Sequence, residues 1–98
     1  MITLFNNKSD ASGQSPEFKL EDVARQVNPL LILYGNMAGA SFDLKFKSFD
    51  GTFQSLGESL EIKGNRLPVA SEIVYRVDYS GATSGSINAV AFGCQLII

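Results

Sequence analysis

The side chains that could do acid–base or nucleophilic chemistry include ten carboxylates, the thiol of Cys94 and the phenols of Tyr34, Tyr75 and Tyr79. Histidine is absent, which removes the Ser-His-Asp and Cys-His arrangements and the commonest zinc and copper ligand. A single cysteine without histidine cannot build a standard structural zinc site. Cys94 stands in the apolar run "SINAVAFGCQLII" and reads as a packed thiol rather than a nucleophile. A pair of carboxylates is the remaining route to catalysis, of the kind glycosidases use. Here most Asp and Glu sit at turns or alternate outward on strands, where solvated charge is expected. Asp10, Asp50 and Glu58 do not form the dense acidic loop that calcium needs. The glycine stretches "GNMAG" and "SGATSG" lack the spacing and the following helix of a phosphate cradle, so they read as turns. Tyr34, Tyr75 and Tyr79 could offer a sugar-stacking platform. Tyr75 and Tyr79, however, share a strand face with Ile73 and Val77, which favours packing, and there is no Trp. The expectation is a chain that is not an enzyme, with no catalytic residues, no cofactor and no metal.

The elements that would carry these residues are short and extended. Ile2 to Phe5 reads as a first strand. "NNKSDASGQSPE", Asn6 to Glu17, is polar and rich in turn formers, and reads as a flexible arm or loop. "EDVARQV" is the one stretch with helical character. It is stopped by Asn28-Pro29, and a strand or ordered loop is preferred there. "LLILY", Leu30 to Tyr34, is continuously apolar, as a strand covered on both faces would be. In "FDLKFKSFDGTFQSL" the side chains of Phe42, Leu44 and Phe46 fall on one face, with Asp43, Lys45 and Lys47 on the other. Asp50-Gly51 supplies the hairpin turn. A further strand is expected at Leu60 to Lys63, with Gly64-Asn65 as its turn. "EIVYRVDYSG" and "SINAVAFGCQLII" are expected as the last strands. In the final strand Asn88, Val90, Phe92, Cys94, Leu96 and Ile98 are expected to face the core, and the smaller Ala89, Ala91 and Gly93 to meet another layer. Six to eight short strands separated by turns predict an all-β fold: a compact antiparallel β-sandwich, jelly-roll or Greek-key-like, in one domain over residues 1–98.

Bulk composition narrows the partners. Net charge is −2 and the eight Lys and Arg are scattered, so no nucleic-acid footprint is expected. No apolar run is long enough for a membrane-spanning helix, and the opening "MITLFNNKSD" does not read as a secretory signal. Without a disulfide, a chain of this size draws its stability from packing or from association. "LLILY" has apolar residues on both faces while a sandwich has one core. Leu31, Leu33, Ala89, Ala91 and Gly93 are therefore the expected assembly interface, covered by a loop of the same chain or by another subunit.

The layout resembles small proteins of tailed-bacteriophage structural gene clusters. The features that carry it are the opening "TLF" strand with its Ser/Gly/Asn-rich arm, the apolar strand, and "FDLKFKSFDGTFQSL" with its D-G-T turn. "YRVDYSGATSGSINAVAFG", two strands joined by a Ser-Gly-Thr loop, completes it. The resemblance spans nearly the whole chain. It implies a virion protein of the capsid decoration (cement) or head-fibre type, made in the host cytoplasm and placed on the capsid surface. It further implies the major capsid protein or another virion protein as partner, and a homo-oligomer, with a trimer favoured. A neck, tail or fibre component is the alternative within virions, and a carbohydrate-binding module the alternative from another class.

Overall fold

The computed structural model describes residues 1–21, 29–37, 39–68 and 72–97, and arranges them as two antiparallel sheets packed face to face. The A sheet runs in the order β1 (Ile2–Lys8), β9 (Ser86–Phe92), β4 (Leu30–Asn36), β7 (Gly64–Arg66). The B sheet runs β10 (Cys94–Leu96), β3 (Phe18–Leu20), β8 (Tyr75–Ser80), β5 (Ser41–Lys47), β6 (Phe53–Ser59), with β2 (Gly13–Gln14) also on β8. This is the antiparallel β-sandwich that the period-two alternation predicts, with ten strands among the described residues in place of six to eight. The helical stretch considered at "EDVARQV" lies, except for Glu21, outside the described residues.

Alternation sorts the core. From the B sheet come Phe18, Leu20, Leu44, Tyr75, Val77 and Tyr79; from the A sheet come Phe5, Leu31, Leu33, Ile87, Ala89 and Ala91. Phe5 and Tyr79 meet edge to face with ring centroids 5.1 Å apart, linking the two sheets. The hairpin stretch "FDLKFKSFDGTFQSL" behaves as its pattern predicts. Leu44 is fully buried, Phe42 and Phe46 pack against the core, and Lys47 is exposed.

The last long strand departs from expectation in part: Asn88 is buried, but Leu96 is exposed, and Ile98 lies outside the described residues. Ile87, Ala89 and Ala91 face inward, whereas Val90 is half-buried and Phe92 is exposed. The reason is volume. The rings of Phe18, Tyr75 and Tyr79 come from the B sheet, so the centre of the A sheet needs small partners to keep native packing density. Cys94 is nonetheless buried, as expected. Gly93 takes φ +73, a left-handed conformation, and the chain passes there from the A sheet to the B sheet, which resets the alternation.

The polar arm is built into the fold. Asn6, Asn7 and Lys8 continue β1, and Gly13 and Gln14 pair with Tyr79 and Asp78. Ala82 N–H donates to the Ala11 carbonyl (3.0 Å) and the Tyr79 hydroxyl to the Asp10 carbonyl (3.2 Å). Between β2 and β3, Pro16 has no N–H to give the sheet. The buried Ser15 bridges that gap: its N–H donates to the Val77 carbonyl (2.8 Å), and its hydroxyl accepts the Val77 N–H (2.9 Å). Ser15→Ala orphans that buried N–H and is expected to cost about 1–3 kcal/mol, read by urea unfolding. An unchanged midpoint would show that this segment does not contribute to the fold.

A second register differs from expectation. Leu60 to Lys63 is not a strand but irregular chain that bends at Ile62-Lys63, and Gly64-Asn65 belongs to β7, where Asn65 pairs with Leu31. The Asn65 side chain closes the bend. Its Oδ1 accepts the Glu61 N–H (2.7 Å) and its Nδ2 donates to the carbonyls of Glu61 (2.8 Å) and Lys63 (3.1 Å). The edges of both sheets are poorly suited to strand addition. The long edge strands β1 and β6 each take part in irregular pairing, and β7 and β10 are only three residues long.

Candidate assembly interface

The four interface candidates Leu31, Leu33, Ala89 and Ala91 are at most 1% exposed. They face the B sheet of the same chain and leave no surface for a neighbour. The cover that the sequence reading assigned to a loop or another subunit is the second sheet. Gly93, the fifth, is the half-buried corner between β9 and β10.

The alternate residues of the same two strands point outward and form an apolar strip. Leu30 pairs with Phe92, Ile32 with Val90 and Tyr34 with Asn88. Tyr34 is 48% and Phe92 40% exposed, while Leu30, Ile32 and Val90 are half-buried. Thr3 lies beside Val90 in β1, and Arg66 beside Leu30 in β7, so the strip has polar flanks. Its far end is capped by Asn88, whose Oδ1 accepts the Asn7 N–H (3.0 Å) and whose Nδ2 donates to the Ser86 carbonyl (3.3 Å). The double apolarity of "LLILY" is thus resolved with one face in the core and the other half-buried to exposed among the described residues. The apolar alternation is present in both sets, and the structure places Leu31 and Leu33 inside and Leu30, Ile32 and Tyr34 outside.

The outer face of the B sheet has the opposite character. A groove of about 460 Å³ there is lined by Gln14, Ser41, Asp43, Lys45, Asp78 and Ser80, among others. Asp43 and Asp78 stand directly opposite each other, an arrangement that repels. Neighbouring groups offset it. Arg76 grips Asp78 with Nε (2.7 Å) and Nη2 (3.0 Å), Lys45 Nζ lies 3.1 Å from the same carboxylate, and Ser55 Oγ donates to Asp43 (2.7 Å). The guanidinium of Arg76 also lies over the Phe53 ring, 4.1 Å from its centroid. These groups satisfy one another within the sheet.

At the end of the same sheet the β5–β6 hairpin closes through Ser48 N–H to the Thr52 carbonyl (2.8 Å) and Gly51 N–H to the Ser48 carbonyl (3.0 Å), with Gly51 at φ +85. Asp50 Oδ1 accepts three bonds: from Ser48 Oγ (2.5 Å), Thr52 Oγ1 (2.6 Å) and Thr52 N–H (3.0 Å). These bonds, the Ser48 hydroxyl first, lower the Asp50 carboxyl to about 2. Because the native value is depressed, the lock is complete above the ordinary carboxylate range and is lost as pH falls through about 2. Phe49, inside this turn, is fully exposed. Its signal in the sequence is an aromatic residue flanked by turn formers in "KSFDGT".

Tyr75 and Tyr79 are buried, and only Tyr34 is exposed, on the other sheet, so the three tyrosines form no common platform. Burial, reinforced by the charge of Glu21, pushes the Cys94 thiol up to about 11, which keeps it protonated at neutral pH. Comparison with protein-family models, with curated proteins and with solved structures returns no match.

Proposed function

We propose that this chain is a non-enzymatic bacteriophage virion protein, a capsid decoration or cement protein that binds the major capsid protein or another virion protein. The observation that carries the reading is the strip of Leu30, Ile32, Tyr34, Val90 and Phe92 on the outer face of the A sheet. An outward apolar strip with polar flanks is the composition of a contact surface. Cementing a shell requires a rigid module with such a surface and no reactive group. Repetition over many sites of a shell converts a modest single contact into firm attachment. A homotrimer is the favoured form, because icosahedral shells present three-fold and quasi-three-fold positions; the layout resemblance carries that order of three.

Tyr34→Lys tests the reading. Half of this side chain already meets solvent, so the melting temperature is expected to hold, while a charge is placed in the contact. Binding to particles assembled without the chain is expected to fall about 30-fold, the loss typical of an aromatic at the centre of an interface. Undiminished binding by Tyr34→Lys combined with Phe92→Lys would remove the strip from the interface.

A further inference from the structure

We infer that the β5–β6 tip is a second, preformed contact, in which Phe49 inserts into an apolar pocket with a cationic rim on a neighbouring subunit of the shell's major capsid protein. The inference rests on the assembly reading above and extends it from one contact to two. An aromatic ring left fully in water is common as a scattered surface residue and means little alone. The tip that bears it is what gives it meaning. Asp50 ties together Ser48 and Thr52 on either side of the ring's own residue, and Ser48 Oγ also lies 3.1 Å from Thr52 Oγ1. A loop fixed in this way has little conformational freedom to lose on binding, and rigid aromatic side chains on ordered loops are the usual anchors of interfaces.

Charge indicates the rim. Asp50 is the one charged side chain between Ser48 and Thr52, it is fully exposed, and the chain as a whole is acidic. A pocket that admits Phe49 must also accept this carboxylate at its mouth, which a Lys or Arg on the partner does. Position supplies the consequence. The strip lies on the outer face of the A sheet, whereas the tip closes a hairpin of the B sheet. A module with both contacts joins two neighbours rather than merely coating one.

The experiment adds wild-type protein, Phe49→Ala, Phe49→Tyr and Asp50→Lys to particles assembled without the chain, with Tyr34→Lys alongside. Phe49→Ala is expected to melt with the wild type and to bind at least about tenfold more weakly. Phe49→Tyr should retain most of the affinity, and Asp50→Lys should lose it, because it both releases the Ser48–Thr52 lock and repels the rim. If Phe49→Ala binds as tightly as wild type while Tyr34→Lys is weak, the anchor is overturned and the strip stands. If wild-type protein does not bind the particles, the assembly reading falls and takes the anchor with it. Two controls address other occupants. Self-association in sedimentation that Phe49→Ala abolishes would assign the tip to a second copy. Co-sedimentation with phosphatidylcholine–phosphatidylglycerol vesicles, lost in Phe49→Ala, would assign it to a lipid surface. Either result overturns the proposal.

Discussion

Ala91→Arg is expected to leave no folded protein. Ala91 is fully buried on β9, with Leu31 as its neighbour on β4 and Ile2 on β1. An arginine there puts a long cationic side chain among the apolar groups between the sheets. Burying an unpaired charge costs several kcal/mol even after relaxation, and overpacking adds about 1–3 kcal/mol. A domain of this size has a total stability of roughly 5–15 kcal/mol. The expected result is loss of the far-ultraviolet β signal and elution as aggregate on gel filtration. Lys47→Glu is the matched control. Lys47 Nζ lies 3.4 Å from Glu17 Oε1 with both side chains well exposed, so reversing the charge there has little effect on folding. A soluble Ala91→Arg protein with an unaltered melting temperature would contradict the inward placement of the alanine strip.

Phe18→Ala is expected to be the costliest simple truncation, at about 3–5 kcal/mol. Phe18 is fully buried, and its ring centroid lies 5.9 Å from that of Tyr75, its partner across the sheet. It belongs to a strand of three residues that holds β10 to β8, so a cavity here also loosens that edge of the sheet. For a chain of this length each kcal/mol moves the midpoint by about 4–8 °C. A drop of about 15 °C or more in calorimetry is the expected reading. A drop of only a few degrees would mean that this ring does not help to hold the sheets together.

The features legible in the sequence are those in which local pattern and tertiary packing agree. Phe42, Leu44 and Phe46 alternate with charged residues, and Asp50-Gly51 marks the turn, so that hairpin could be read without knowledge of its neighbours. Tyr75, Val77 and Tyr79 likewise share a face by simple alternation, and that face is buried. Where alternation offers two apolar choices, the pattern alone cannot decide. In β9 the set Val90 and Phe92 is larger than Ala89 and Ala91, yet the smaller set is inside because the B sheet supplies the bulk. The same ambiguity in "LLILY" moved the candidate interface by one residue, from Leu31 and Leu33 to Leu30, Ile32 and Tyr34. The arm hid its role differently. Two of its polar side chains accept hydrogen bonds: Asn7 Oδ1 from Ser86 Oγ, and Ser15 Oγ from the Val77 N–H. Such bonds are made with residues far along the chain, and turn-forming composition does not reveal them. Gly64-Asn65 resembles a turn by type, but its asparagine closes the preceding bend from a strand position.

The most direct test of the assembly account is a cryo-electron microscopy reconstruction of particles made by the genome that encodes this chain. The account predicts a β-sandwich of about 36 × 29 × 25 Å at symmetric positions on the shell. The face with Leu30, Ile32, Tyr34, Val90 and Phe92 should lie against the capsid protein, and the face with Lys45, Arg76 and Asp78 should lie toward solvent. Purified particles that lack the chain, or that carry it with the Tyr34–Phe92 strip turned to solvent, would contradict the account.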